Sequence, residues 1–313
     1  MEQRKLIKFG TSSHVLSLPS SWLKKNKLGK GNMIYLQENN NGELILSSSI
    51  SESELKKITI ISDNKHFKRL SKEIFSAYIN NYGIIVITGK NLDSIRDEIR
   101  KMLHGFVALE IIEEDKEKII AKGFVNIKDV SINENIRRMD VIIRSMIDEM
   151  KKSVSSDIWN AIYKKDHDVN KFFYLLMRTL KGAMYDPGLM RSLGIKNEDL
   201  FSFWIICENL EDIGDEVKRV SRFIAGGKLN ANEKNKLENI FDEIEKLYLD
   251  AMKSYYKKDK ELAFSVDSKK DELIEQCNKI FNRYHTPDTG RVLERLKKMI
   301  YGMAVISRVV YEN

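Results

Sequence analysis

The chain has 313 residues, of which 42% are hydrophobic and 32% are charged, so it is long enough for two or three domains with hydrophobic cores. With only three prolines, this composition favours long helices. No apolar run approaches the roughly 20 residues that cross a membrane, and the N-terminus is charged from its second residue. We therefore expect a cytoplasmic protein without a signal peptide or membrane insertion. The two cysteines, Cys207 and Cys277, form no CxxC pair, which fits a reducing compartment and argues against a thiolate metal site.

The net charge of +7 is concentrated at the N-terminal end. Residues 1–48 carry seven basic and three acidic side chains, a net +4, which leaves +3 for the other 265 residues. A basic segment on a nearly balanced body indicates a polyanionic partner at that end.

The first 48 residues predict a small β-rich module. Short strands are expected at 5–10 and 14–19, a helix at 20–26, and a hairpin from 33–36 to 43–46 around a turn at 39–42. A module of this size is too small to form a comfortable core alone, so we expect a second copy of the chain to complete it.

Two motifs in this module have a specific spacing. Leu18-Pro19 precedes Trp22 in an L-P-x-x-W pattern, and residues 28–32 read LGKGN. With the basic pair at residues 4 and 5, these motifs resemble the SpoVT-AbrB family of swapped-hairpin DNA-binding domains, although Asn32 replaces the usual Asp. The resemblance implies that two chains interleave and that the first hairpin meets DNA. The implied DNA-binding residues are Arg4, Lys5, Lys8, Ser12, Ser13 and His14. The alternative is a dimerisation module with ordinary surface lysines.

The segment from 55 to 130, after a linker at 51–55, predicts a small α/β layer. Strands are expected at 57–62, 82–88, 108–113 and 118–125, and helices at 64–81 and 94–103, in the order βαβαββ. The segment has isolated glycines but no glycine-rich phosphate loop and no nucleophile elbow. We therefore expect it to space and couple the two ends of the chain.

Every segment from Ile132 onward has a helical period. Helices are expected at 133–153, 156–164, 168–182, 197–225, 232–256, 260–284 and 289–311. Proline and glycine mark the breaks at 186–188, 226–227 and 286–287. Two three-helix units packed side by side are the economical arrangement of these helices.

One of the predicted helices carries an unusual acidic turn. Glu211 and Asp215 are four residues apart and stack on one side of the helix, where like charges repel by about 0.2–0.5 kcal/mol. Gly214 lies between them and costs about 1 kcal/mol relative to alanine. Two unfavourable choices together indicate a bound cation or very close helix packing. The alternative is a solvated acidic turn, relieved by basic residues of the next turn such as Lys218 and Arg219.

The acidic turn also resembles a family signature. Residues 210–215 read LEDIGD, which is similar to the L-E-R-I-G-D signature of the PhoU family, with Glu208 where the family has Arg and Arg219 where it has Asn. The stretch at 109–114 is similar to archaeal PhoU-like proteins that carry an N-terminal AbrB module. This resemblance implies a multidomain α+β protein. It would have a swapped-hairpin β head at 1–50, a small α/β segment at 55–130, and an all-α PhoU-like pair of three-helix bundles at 131–313.

Some members of the PhoU family hold iron or zinc clusters on carboxylates spaced E/D-x-x-x-D, so the resemblance also implies a metal site. Asp166 and Asn170, expected at the start of a helix, resemble the first such motif and would join Glu211 and Asp215. Three carboxylates and one amide suit Mg²⁺, Ca²⁺, Mn²⁺ or iron better than a structural zinc, and the identity of the divalent metal stays open. The alternative is a solvated acidic face, with Asp166 as a charge at a helix N-terminus.

A second and weaker metal site is implied at Asp267 and Asp271, which repeat the four-residue spacing. The partner helix carries Met299 and Met303 where the family has carboxylates. We therefore expect this second site to be incomplete.

The resemblances together imply a phosphate-responsive transcriptional regulator and not an enzyme. A homodimeric head would bind DNA, and the helical body would sense phosphate status through a ligand, a metal, or a phosphate transporter and its regulators. A carboxylate-bridged metal enzyme of helical-bundle type is one alternative, but no histidine follows a glutamate by three, the pairing that such enzymes use. A DNA-independent adaptor of phosphate transport is another, and the basic head argues against it.

Overall fold

The computed structural model describes residues 3–38, 42, 44–48, 55–90, 92–152, 158–227, 229–284 and 286–312. Most of the predicted turn at 39–42 and most of the predicted linker at 51–55 lie outside these residues. The chain divides into two compact units, Met1–Glu54 and Leu55–Asn313. No helix in the described ranges is long and apolar enough to cross a membrane.

The first unit consists of two antiparallel hairpins and a short helix. Strand β1 (Ile7–Phe9) pairs with β2 (Ser13–Val15), helix α1 (Ser20–Lys25) follows, and β3 (Tyr35–Glu38) pairs with β4 (Leu44–Ser47), which is the predicted order. None of the described residues of this unit is buried. Six large apolar side chains are between 59% and 78% exposed: Leu6, Ile7, Phe9, Met33, Leu36 and Leu44. The predicted exchange of hairpins between two chains stays a prediction.

The second unit begins with a four-stranded sheet and two helices. We call these six elements together the sheet layer. Its elements are β5 (Lys57–Ile61), α2 (Phe67–Ile79), β6 (Ile84–Thr88), α3 (Arg96–His104), β7 (Leu109–Glu114) and β8 (Lys118–Gly123). The strand order across the sheet is β5-β6-β8-β7, with only the β5–β6 pair parallel. Leu70, Ile74 and Ala77 recur at helical spacing on α2 and share one core with Ile85 and Ile87 of the sheet.

Six long helices form the rest of the described chain. They are α4 (Ile132–Lys152), α5 (Trp159–Tyr185), α7 (Asn197–Gly226), α8 (Ala231–Lys257), α9 (Lys260–Tyr284) and α10 (Pro287–Glu312), with the short α6 (Pro187–Ser192) after α5. In each of the triplets α4/α5/α7 and α8/α9/α10, every helix contacts the other two, and the triplets meet along α7–α10 and α4–α8. One apolar core runs through both triplets, so the predicted mostly helical body is confirmed.

Helix α5 corrects one prediction about Asp166. The sequence predicted separate helices at 156–164 and 168–182, but these residues form one helix from Trp159, so Asp166 lies within it and not at its start. No proline or glycine interrupts the chain here, and the apolar spacing continues through Ile162, Val169 and Phe173. Asp166 occupies the buried face of that stripe and is only 5% exposed. The interpretation of Asp166 as an N-terminal helix charge is therefore wrong.

A second difference is helix α6, which lies where the sequence predicted only a break. The Asp186 carboxylate accepts hydrogen bonds from the backbone N–H groups of Gly188 at 2.8 Å and Leu189 at 3.2 Å. Pro187 stands at the first helical position, where its missing N–H costs nothing. The same three residues that end α5 therefore also cap a new helix.

The sheet layer packs on helix α5. The rings of Phe75 and Phe106 lie 4.9 Å and 5.6 Å from the Tyr174 ring, centroid to centroid. Nearby, Arg178 Nε donates to Asn81 Oδ1, and Asn81 Nδ2 donates to the Arg178 carbonyl, both at 3.0 Å. Asn81 has a left-handed φ of +61°, so this reciprocal pair fixes the turn after α2 against α5.

The glycines at 214 and 302 differ in the space around them. A Cβ at Gly214 would lie 3.7 Å from Val169 Cγ1, an ordinary contact, whereas a Cβ at Gly302 would lie 3.2 Å from Ile213 Cγ1. Close helix packing therefore does not explain Gly214. We expect Gly214→Ala to raise the free energy of unfolding by up to about 1 kcal/mol, because alanine favours the helix. Gly302→Ala should raise the free energy of unfolding by less, or lower it, because its new Cβ would crowd Ile213. Urea denaturation of both variants checks this, and a clear loss for Gly214→Ala would contradict it.

Candidate functional site on helices α5 and α7

The predicted ligands on α5 and α7 come together around a lysine. Lys218 Nζ donates to Asp166 Oδ2 at 2.7 Å and also to Asp215 Oδ1. Asn170 Nδ2 donates to the same oxygen of Asp166 at 3.3 Å. Lys218 lies on α7 three residues after Asp215, so one helical turn brings the ammonium group over the acidic side chain. The structure thus brings Asp166, Asn170 and Asp215 together, with Lys218 between the two carboxylates.

The ion pairs continue from this point towards α10. Asp215 Oδ2 accepts from Arg219 Nη2 at 2.6 Å, and Arg219 Nη1 donates to Glu216. Glu216 is 5% exposed and also lies 3.4 Å from Arg295 Nη1 of α10. We call the six side chains from Asp166 through Lys218, Asp215, Arg219 and Glu216 to Arg295 the charged network. It crosses three helices and both triplets.

Glu216 and Arg295 were not found from the sequence. A usable signal was present for Glu216, because it is three residues after Ile213 and four before Val220, both of which are buried. A carboxylate in the apolar stripe of a helix predicts a buried ionic partner. The position of Arg295 on α10 follows only from how the two triplets pack.

Glu211 differs from the other acids because no described residue hydrogen-bonds or ion-pairs with its carboxylate. Burial, followed by the nearby charges of Asp215, Asp212 and Asp166, raises the pKa of Glu211 to about 7. The pKa of Lys218 is also raised. Burial alone would lower it, but the bonds to Asp166 and Asp215 outweigh burial. The lysine therefore stays charged at neutral pH while Glu211 sits near its titration point.

The arrangement bears directly on the predicted metal site. The ammonium group of Lys218 lies between Asp166 and Asp215, and Arg219 holds the second oxygen of Asp215. In the part of the chain that the structure describes, no group of three or more His, Cys, Asp or Glu side chains is arranged to hold a metal ion. The side chains as placed do not fit a divalent ion unless Lys218 moves away. Lys218 supplies the positive charge that offsets the repulsion between Asp166 and Asp215. The bound metal ion stays a prediction.

The second predicted pair, Asp267 and Asp271, lies on α9. Both carboxylates flank Lys270, whose Nζ is 3.1 Å from Asp267 Oδ1 and 3.5 Å from Asp271 Oδ1. The Asp271 side chain is 78% exposed. Met299 and Met303 of α10 are fully buried in the apolar core. The structure therefore brings no second acidic pair from α10 to these residues.

The predicted DNA-binding residues all lie on the exposed first hairpin or just before it. Arg4 and Lys5 precede β1, Lys8 of β1 is paired with His14 of β2, and Ser13 is paired with Phe9. The remaining predicted residue, Ser12, stands in the turn between the two strands, and every one of these side chains is exposed.

Comparison with known proteins gave one solved structure. No protein-family model matches the chain, and no curated protein matches it. The crystal structure of PhoU from Pseudomonas aeruginosa is similar, with a TM-score of 0.49 and 14% sequence identity. The similarity covers 57% of this chain and 93% of that one.

Proposed function

We propose that the chain is a non-catalytic regulator of phosphate homeostasis of the PhoU kind, with an N-terminal head that binds DNA. The observation that carries the proposal is the meeting of two motif segments. Asp166 and Asn170 on α5 lie beside Asp215 on α7, as the resemblance of their sequences to the PhoU family requires. The two three-helix triplets in the body support the same interpretation.

The helical body is proposed to respond to phosphate status, through a ligand, a metal ion or a component of a phosphate transporter. Support comes from Glu211, a carboxylate with a pKa of about 7 beside a network of six charged side chains. A small change in local charge alters the ionisation of such a group at physiological pH. This part of the molecule is therefore suited to sensing charged species.

The head is proposed to act as a homodimer. In one copy several of its large apolar side chains stay exposed, with Phe9 at 72% and Met33 at 78%. A second copy would cover them, and it would also double the number of basic residues available to DNA. The exposed Arg4, Lys5 and Lys8 lie at the start of the chain and on β1, where they are accessible to a phosphate backbone.

DNA binding by the head should show a strong dependence on salt. With about six phosphate contacts per dimer, the slope of log affinity against log salt concentration should be near −5. Replacing Arg4, Lys5 and Lys8 together by alanine should flatten the slope by more than half. Fluorescence anisotropy with DNA from upstream of phosphate-uptake operons of the source organism measures the slope, and sedimentation of the same samples checks that the dimer is intact.

A matched control removes the same charge from the helical body. Lys236, Lys253 and Lys257 are exposed on α8, and replacing all three by alanine should leave the slope unchanged. Equal slopes for the two triple variants would exclude DNA binding through the first hairpin. If the wild type binds no DNA at all, the chain is better described as a DNA-independent adaptor of phosphate transport.

A further inference from the structure

A cleft of about 510 Å³ opens between the sheet layer and helix α5. Side chains of α2 and α3 form one side, and His167, Asn170 and Tyr174 of α5 form the other. Its volume lies within the range of about 300–1,000 Å³ that is typical of small-molecule sites. All of its lining residues belong to the second unit, and none of them is a predicted DNA-binding residue.

The wall of the cleft is largely aromatic. Phe67 and Phe75 of α2, Phe106 after α3 and Tyr174 of α5 all line it. The Phe75 and Tyr174 rings meet edge to face at 65°, and all but Phe106 are only partly buried. Ring surface therefore remains open to the cleft, where a planar ligand ring could stack on it.

The rim of the cleft carries a net positive charge. Lys72 on α2 and Lys101 on α3 line it, opposed only by Glu98 among the charged lining residues that the structure describes. Neither lysine has an ion-pair partner within the described part of the chain, and both are exposed. Two uncommitted ammonium groups above an apolar wall are complementary to an anion that also has an apolar body.

Helix α5 adds hydrogen-bonding groups to the inner side of the cleft. Within the described residues the Tyr174 hydroxyl and the His167 ring have no hydrogen-bond partner, and Asn170 uses only its Nδ2, towards Asp166. Gly105 makes room for this side, because a Cβ there would lie 3.2 Å from His167 Cε1. Oriented polar groups beside a mostly apolar wall are the usual composition of a ligand site.

We propose that this cleft binds a small anion with a planar aromatic ring, of the size of a nucleoside monophosphate or smaller. The ring lies against Phe75 and Tyr174, and the anionic group lies at the rim with Lys72 and Lys101. The polar edge of the ring meets Asn170 or the Tyr174 hydroxyl. A nucleotide and an aromatic carboxylate share the planar ring and the anionic group, whereas only the nucleotide base has a polar edge. The experiment below separates them.

A ligand in the cleft would also lie one residue away from the charged network, because Asn170 connects the two. Asn170 lines the cleft and donates to Asp166 Oδ2, and the same oxygen accepts from Lys218. A ligand that draws the Asn170 amide away would remove one of the two hydrogen bonds to that oxygen. This inference does not depend on the proposed DNA binding. The cleft can bind its ligand even if the anisotropy experiment shows that the head does not bind DNA.

Titration calorimetry on the full chain tests the proposal with five probes: AMP, adenosine, benzoate, benzyl alcohol and inorganic phosphate. We expect AMP to bind at least tenfold more tightly than adenosine, or benzoate at least tenfold more tightly than benzyl alcohol. Binding of inorganic phosphate should be too weak to detect. Binding of AMP alone assigns a nucleotide, and binding of benzoate assigns an aromatic carboxylate. If no ring-containing anion binds, or if neutral and charged probes bind alike, the proposal is overturned.

Two sets of variants locate the binding. The double variant Lys72→Gln, Lys101→Gln should bind the anionic probe about tenfold more weakly and the neutral probe with unchanged affinity. The control variant Lys68→Gln, Lys116→Gln, at two exposed lysines, should bind both probes as the wild type does. Ser71→Trp should fill the cleft and abolish binding, with circular dichroism to check that the variant is folded. Undiminished binding to the Lys72/Lys101 variant would overturn the proposal even if Ser71→Trp does not fold.

Discussion

Replacing Lys218 by methionine is expected to lower the free energy of unfolding by about 3 kcal/mol, because it leaves two partly buried carboxylates without their shared counter-charge. Asp166 and Asp215 have side chains that are only 8% and 20% exposed, so water screens their repulsion poorly. Urea denaturation at neutral pH measures the loss. Adding Asp166→Asn to the lysine variant should recover part of it, because the remaining carboxylate then has an uncharged neighbour.

A surface lysine provides the matched control for this prediction. Lys279 pairs with Glu275 on α9, but both side chains are at least 66% exposed, so Lys279→Met should cost less than about 1 kcal/mol. If Lys218→Met and Lys279→Met lower the free energy of unfolding equally, the ion pair of Lys218 with Asp166 is as well solvated as a surface pair. The charged network would then contribute little to the fold.

The lysine variant also tests the predicted metal. An ion present at a hundredfold excess over its Kd stabilises the folded state by about 2.7 kcal/mol. If the ammonium group of Lys218 occupies the place between Asp166 and Asp215 where a metal ion would bind, the wild type should gain no stability from Mn²⁺, Mg²⁺ or Fe²⁺. The same ions should then raise the melting temperature of Lys218→Met. If the wild type itself binds the ion, its gain should disappear in the double variant Glu211→Gln, Asp215→Asn. No gain in any protein would exclude a metal at these residues.

Glu211→Gln is expected to stabilise the protein at pH 8 and to have little effect near pH 4.5. The pKa of Glu211 is raised from 4.5 to about 7, so between these values the folded state binds more protons than the unfolded state. The free energy of unfolding therefore falls as pH rises through this window and is lowest above it. With allowance for partial solvent screening, the gain from the glutamine at pH 8 should be about 2 kcal/mol.

Denaturation curves of the wild type and the Glu211 variant at intervals from pH 4.5 to pH 8 measure this effect. The exposed Glu238 on α8 supplies a control, because Glu238→Gln removes the same charge and should change the pH dependence far less. A difference between wild type and Glu211→Gln that stays constant over the whole range would show that Glu211 is not perturbed by burial and its acidic neighbours.

Local patterns were sufficient to predict most of the elements. Helical spacing and the Pro and Gly breaks predicted the order of the long helices, and short apolar runs predicted the strands of the sheet layer. The prediction was wrong at α5, where the hydrophilic residues 165–167 were left between two predicted helices. Asp166 lies in that stretch, and its place on the buried stripe is visible only when Ile162 and Val169 are assigned to one helix.

The candidate site was predictable in part, for a physical reason. The four-residue spacings put each predicted pair on one side of its own helix, because spacing within a helix is a local property. That the two helices face each other was implied only by the resemblance to the PhoU family, and the structure brings Asp166 and Asp215 together around Lys218. The neutralising partner was interpreted as a metal ion or as solvent, with Lys218 only a relief of charge in the next turn. Whether a lysine bends over its own helix to bridge two carboxylates depends on the packing of α5 against α7, which no local pattern contains.

The continuity of the charged network changes what a single substitution can reveal. Lys218 and Arg219 share Asp215, and Arg219 and Arg295 share Glu216, so each interior group serves two neighbours. Removal of one member lets the others re-pair, and effects measured one at a time will not add. The interaction energy therefore belongs to the row of six side chains as a whole, and only double-mutant cycles along it can divide that energy between the two triplets.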